Sequence, residues 1–198
     1  MKKMNLPNKL TILRIILVPF VIAAILIDFP FHFTVAGVLF GVAAITDALD
    51  GRIARRDNLI TDFGKFADPL ADKILVISVL VCFVKLGLCG AIPLIIIIFR
   101  EFTVTSIRLV AASKGSVIAA NMWGKVKTVT QIIAICVIFA LQTALNVLAL
   151  CAVEQSLIAD LTNIFNIIGQ VLLWIVAIIT VISGVKYVVD NKEVISDM

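Results

Sequence analysis

Charge is scarce in this 198-residue sequence. Only 15% of its residues are Asp, Glu, Lys or Arg, 62% are hydrophobic, and the mean hydropathy is +1.15. A soluble globular domain needs a far more polar surface, so the shortage points to an integral membrane protein. Histidine occurs once, at His32, and the cysteines Cys82, Cys89, Cys136 and Cys151 form no C-x-x-C pair. A zinc site is therefore not expected, and the cysteines read as small apolar packing residues. No basic run is interleaved with aromatic residues, so the formal net charge of +4 is no nucleic-acid footprint. No A-x-A-like site follows the Lys2–Lys3 start, so no cleavable signal peptide is expected.

What the sequence has in abundance is apolar runs. A helical span needs roughly 20 mostly apolar residues. Six such runs occur, at about 10–27, 33–54, 66–87, 91–112, 128–150 and 164–189. The expected architecture is an all-α integral membrane protein of six transmembrane helices, one membrane domain over 1–198. Six spans put both termini on one side. That side collects Lys2, Lys3, Lys9, Arg52, Arg55, Arg56, Lys65, Lys114, Lys125, Lys127, Lys186 and Lys192. The opposite loops hold Asp28, His32, Glu154 and Asp160, with Lys85 near a helix end. By the positive-inside rule the multi-pass chain has both termini in the cytoplasm, in the cell membrane.

Against this scarcity of charge stands "TDALDGRIARRDNLITDFGKFADPLADK", residues 46–73, with six aspartates. Asp47 and Asp50 are spaced i, i+3; Asp68 and Asp72 are spaced i, i+4. On helices each spacing stacks two side chains on one face. Two antiparallel neighbouring helices can then aim four carboxylates at one point, at the cytoplasmic end of the spans. Four anions that close repel by several kcal/mol unless cations neutralise them. An all-oxygen set suits Mg²⁺ or Mn²⁺, and four carboxylates suffice for two metals with shared ligands. Pairing with Arg52, Arg55, Arg56, Lys65 and Lys73 accounts for one or two of the aspartates but not for four at paired spacings. Asp57 and Asp62 read as water-facing loop residues. Gly51, Ala54, Gly64 and Ala67 keep the region narrow, as close approach by a ligand or packing between helices requires. Arg55 can meet an anion one turn from Gly51.

Taken together, Asp47, Asp50, Gly51, Ala54, Arg55, Gly64, Asp68 and Asp72 spell D-x2-D-G-x2-A-R-x8-G-x3-D-x3-D. This resembles the signature of the CDP-alcohol phosphatidyltransferases, with no departure at eight positions over 26 residues. The resemblance extends along most of the chain, because that family is a six-helix membrane bundle. It implies an enzyme that exchanges the CMP of a CDP-linked lipid for an alcohol. It implies that Asp47, Asp50 and Asp68 hold two divalent cations, and that Asp72 completes the metal site and is the general base. Gly51, Ala54, Arg55, Thr61 and Gly64 would line the CDP pocket. The segment "NLPNKLTILR" resembles the family's entry segment, which makes Asn8, Thr11 and Arg14 candidate contacts to CDP-diacylglycerol. Interfacial capping and anchoring is the plainer reading of those three, since Arg14 lies early enough in its span to snorkel.

The acceptor must be read elsewhere. Arg100 and Glu101 lie inside the fourth run, and Arg108 follows eight residues later on about the same side. An ionisable residue inside a span is a functional candidate by default. Pairing of Glu101 with one arginine leaves the second unexplained. Lys125 and Lys127 begin the fifth run, where positive-inside flanking is the plainer reading. "REFTVTSIR" followed by "GKVKT" resembles the glycerol-3-phosphate-using branch of the family. That resemblance makes Arg100, Arg108, Lys125 and Lys127 candidates for gripping an acceptor phosphate, with sn-glycerol 3-phosphate as acceptor. It also implies a homodimer. Inositol phosphate would need the same cations, and a non-phosphorylated alcohol would not. A divalent-cation transporter would place acids near the bilayer centre with access from both sides; here they cluster at one face.

Overall fold

The computed structural model describes residues 6–56, 62–113, 122–151 and 154–192. For 6–7, 47–56, 62–69, 72 and 113 it describes the backbone alone. Among the described residues the protein is all-α, with six helices: α1 Leu6–Leu26, α2 His32–Arg56, α3 Asp62–Lys85, α4 Ala91–Ser113, α5 Met122–Leu150 and α6 Gln155–Asp190. The six apolar runs each fall in one helix. The largest differences are at the starts of α5 and α6, six and nine residues earlier than hydropathy placed them. Hydropathy measures affinity for lipid, whereas the helix continues for as long as its backbone bonds are satisfied. Polar residues such as Lys125, Lys127, Asp160 and Asn163 therefore end an apolar run without ending a helix.

Among the described residues α1, α5 and α6 are long and apolar enough to cross a membrane, and α2 has a shorter apolar stretch at His32–Thr46. At 36 residues α6 rises about 54 Å, against a hydrocarbon core of roughly 30 Å. Large apolar side chains face outward along the helices, Phe20, Ile95 and Phe99 among them. A water-soluble protein does not expose so much contiguous apolar surface, whereas a lipid-facing wall requires it.

The chain divides into two compact units. The first comprises Met1–Phe83 and Phe139–Ala159, the second Val84–Ile138 and Asp160–Met198. In the first, α1 packs on α2. The buried residues of α2, Phe33, Ala36, Phe40 and Ala43, recur at spacings of three and four, the stripe that a helix turns toward its neighbours. Phe139 is the hub. Its ring lies 5.9 Å from Phe40 and 5.2 Å edge-on from Phe83, and Gly37 lets α2 approach it. Thr34 donates to Thr143 at 3.3 Å, joining α2 to the end of α5.

The α1–α2 connection is a tight turn. The His32 amide donates to the Phe29 carbonyl at 3.1 Å, and Phe31 takes φ +63°. Pro30 suits the preceding position of such a turn. The His32 ring contacts the carbonyl of Ala24 through Nδ1 at 3.3 Å, satisfying one of the last carbonyls of α1.

In the second unit α6 buries Gly169, Leu173, Val176, Ala177, Thr180, Ser183 and Tyr187, again at spacings of three and four. Gly169 meets the turn after α3 so closely that a Cβ there would lie 2.8 Å from the Leu88 carbonyl oxygen. In that turn Cys89 is buried, and burial pushes its thiol up to about 12. Cys82 and Cys89 are interior packing residues as expected; Cys136 and Cys151 are exposed.

Candidate active site

The acidic motif lies on two helices of the first unit. α2 runs unbroken through 47 and 50 to Arg56, and α3 runs from Asp62 through 68 and 72. The motif spacings are thus true helical spacings, each pair one turn apart along its helix. Asp62, expected in the loop, is the first residue of α3. The side chains of Asp47, Asp50, Gly51, Ala54, Arg55, Gly64, Asp68 and Asp72 lie outside the described residues, as does Thr61 altogether. Among the described residues no group of His, Cys, Asp or Glu could hold a metal ion. The acidic side chains of the motif are not among those residues.

The three candidates on α1 share one face. Asn8, Thr11 and Arg14 are 8%, 0% and 0% exposed, and their stripe continues into the apolar core positions Val18, Val21 and Ile25. Arg14 therefore does not snorkel. Its guanidinium turns inward, because the helical phase of α1 puts position 14 on the packed side. A buried cation costs several kcal/mol unless it is paired, and none of these three residues is without a partner.

The second unit holds the cations of α4 and α5. Arg100 Nη1 donates to Glu101 Oε1 at 3.2 Å, and Lys127 Nζ reaches the same oxygen at 2.5 Å. Arg100 Nη2 donates to Ser183 Oγ on α6 at 2.8 Å. Eight residues further along α4, Arg108 Nε donates to the Tyr187 hydroxyl at 3.3 Å, with its guanidinium 5.3 Å from the Tyr187 ring centre. Of the two glycines beside Arg100, Gly184 makes room for it and Gly124 is in ordinary contact range. A Cβ on Gly184 would lie 3.0 Å from its Cγ, and one on Gly124 would lie 3.9 Å from Nη2. Lys127 is buried.

Arg100 and Lys127 are thus brought together through Glu101, and Arg108 is tied to the same face of α6. Lys125 is exposed. Two residues before Lys127, it points to the opposite side of α5, roughly 200° around the helix. The pairing of Glu101 with an arginine expected from the sequence is present, and Lys127 joins it. Ser183 and Tyr187 went unnoticed in the sequence. Thr180, Ser183 and Tyr187, at i, i+3 and i+7, form a polar line on the buried face of α6, and that line was the available signal.

Similarity to other proteins carries the assignment further. A model of the CDP-alcohol phosphatidyltransferase family matches residues 4–182. A protein of Bacillus subtilis (strain 168) is 39% identical over 201 residues, 96% of this chain and 96% of its own length. One of Rickettsia bellii is 35% identical over 183 residues, 92% and 93% of the two chains. One of Haemophilus influenzae is 34% identical over 199 residues, 98% and 97%. All three bear the name CDP-diacylglycerol–glycerol-3-phosphate 3-phosphatidyltransferase. A family match over most of the chain, with the full D-x2-D-G-x2-A-R-x8-G-x3-D-x3-D motif on two helices, places this chain in the CDP-alcohol phosphatidyltransferase family.

Proposed function

We propose that the protein transfers the phosphatidyl group of CDP-diacylglycerol to sn-glycerol 3-phosphate, releasing CMP and phosphatidylglycerophosphate. The observation that carries the choice of acceptor is the Arg100–Glu101–Lys127 cluster, with Arg108 on the same helix. Its surplus of positive charge within apolar helices suits a phosphorylated acceptor and is wasted on a neutral one.

Asp47, Asp50, Asp68 and Asp72 would hold two divalent cations, Mg²⁺ or Mn²⁺. Their donor set is all carboxylate oxygen, and the helical backbone at 47, 50, 68 and 72 stacks each pair one turn apart, which fits hard cations. When bound, such a pair neutralises charge at the attacked phosphorus and on the leaving oxygen. Asp72 is the general base: it takes the proton from the acceptor's hydroxyl at carbon 1. That oxygen forms a bond to the lipid-linked phosphorus as the bond to CMP breaks. Asn8, Thr11, Arg14, Gly51, Ala54, Arg55, Thr61 and Gly64 bind CDP-diacylglycerol. Arg100, Arg108 and Lys127 receive the acceptor phosphate, and Lys125, exposed on the opposite side of α5, is left out of that site. The protein acts in the cell membrane as a single membrane domain and a homodimer, with both termini and the active site cytoplasmic.

The test is to incubate purified protein with CDP-diacylglycerol, Mg²⁺ and, in separate reactions, labelled glycerol 3-phosphate, inositol phosphate and serine. Label should enter lipid, with release of CMP, from glycerol 3-phosphate and not from the others, and EDTA should abolish it. Incorporation of inositol phosphate instead would overturn the acceptor, and full activity in EDTA would overturn the metal site.

A further inference from the structure

We propose that Ser183 and Tyr187 on α6 are binding residues for the acceptor phosphate, each donating its hydroxyl proton to it. The inference rests on the reading of the α4 and α5 cations given above and extends it to a third helix. Arginine only donates hydrogen bonds. Ser183 Oγ therefore accepts the bond from Arg100, and the Tyr187 oxygen accepts the bond from Arg108. A hydroxyl that accepts still has its own hydrogen to give. Thr103, Thr128 and Thr130 give theirs to the carbonyl four residues earlier in their helices. Ser183 and Tyr187 have no such acceptor among the described residues, and both are only 1% exposed. The buried Nε of Arg100 likewise has no acceptor among them. Within the described residues of this unit, these three donors thus lack an acceptor, as does the buried hydroxyl of Thr180 one turn before Ser183.

Charge is unbalanced in the same sense. Arg100, Arg108 and Lys127 are positive and Glu101 is negative, an excess of two positive charges among these four. A phosphate monoester answers both shortages. It is close to a dianion at neutral pH and accepts through three terminal oxygens. A neutral alcohol would bring one more donor and no charge. The placement is consistent: residues 183 and 187 are one turn apart on the buried face of α6, each already in contact with an arginine of α4.

Tyr187→Phe keeps the ring beneath Arg108 and removes only the hydroxyl; Ser183→Ala does the same for the smaller residue. Two quantities are measured in CDP-diacylglycerol mixed micelles. One is the KM for sn-glycerol 3-phosphate and the other is the inhibition constant of inorganic phosphate competing with it. Each variant should raise both by on the order of tenfold, the size of one lost hydrogen bond to a charged group, with the KM for CDP-diacylglycerol unchanged. Arg108→Gln is the reference. If it raises the KM while both hydroxyl variants leave KM and inhibition unchanged, Ser183 and Tyr187 do not bind the phosphate and the inference is overturned. If Arg108→Gln also leaves both constants unchanged, the underlying reading of the cations is what fails. Should Tyr187→Phe not fold, Ser183→Ala decides by the same criteria.

Discussion

Arg100 shows how one residue can be specified by its surroundings. Its planar fork reaches Glu101 with one amino group and Ser183 with the other, while its stem lies against Gly184. A lysine at 100 would bring a single flexible point charge and could not bridge two partners in fixed geometry. Glu101 complements it, because its carboxylate keeps Arg100 and Lys127 from repelling each other. Asp72 stands at the other pole of the proposed chemistry. Asp72→Asn retains size and hydrogen-bonding capacity and loses the ability to take a proton. It should reduce transfer by at least about a hundredfold, the low end of what a general base contributes. Binding of CDP-diacylglycerol, measured by equilibrium dialysis, should stay detectable. Turnover near that of the parent protein would remove Asp72 as the base.

At the scale of elements, helices are set by backbone bonding and the sequence reports them only indirectly. The apolar runs located all six, since each run is also a helix. They missed the first nine residues of α6, where Gln155, Asp160 and Asn163 reduce hydropathy without interrupting the helix. The acidic motif was legible because its spacing is local: 47 with 50 and 68 with 72 stay within single helices. The partners of the cations were not legible. Lys127 is 26 residues from Glu101 and Ser183 is 83 from Arg100, and only tertiary packing joins them. Lys125 and Lys127 were grouped by charge, and helical phase separates them. Phase also turned Arg14 inward where its early position suggested the interface. One close approach gives a direct test of how α6 sits on the turn after α3. Gly169→Ala gains about 1 kcal/mol of helix propensity. The new methyl group must displace the Leu88 carbonyl, from which it would lie 2.8 Å. Overpacking of that kind costs roughly 1–3 kcal/mol. The variant should therefore unfold at a lower temperature in detergent than the parent, and a raised midpoint would show that the contact is looser than described.

For the molecule as a whole, the distribution of charge over the helices bears on how it enters the bilayer. Among the described residues α1, α5 and α6 are long and apolar enough to cross a membrane, and α4 is not among them. Arg100 and Glu101 sit near the middle of α4, where a charged residue costs about 3 kcal/mol on insertion scales. Neighbours in sequence, they can neutralise each other before any tertiary contact exists. Lys127 reaches Glu101 only once α5 has followed. Recognition of α4 by the translocon should thus be inefficient for the isolated segment and improve when α5 is present behind it. A glycosylation-mapping assay comparing residues 91–113 with 91–150 measures this, and equal efficiencies would exclude it. On that outcome the carboxylate that joins Arg100 to Lys127, in the proposed acceptor site, would also be a chaperone in miniature, escorting an arginine across hydrocarbon while the chain is still being synthesised.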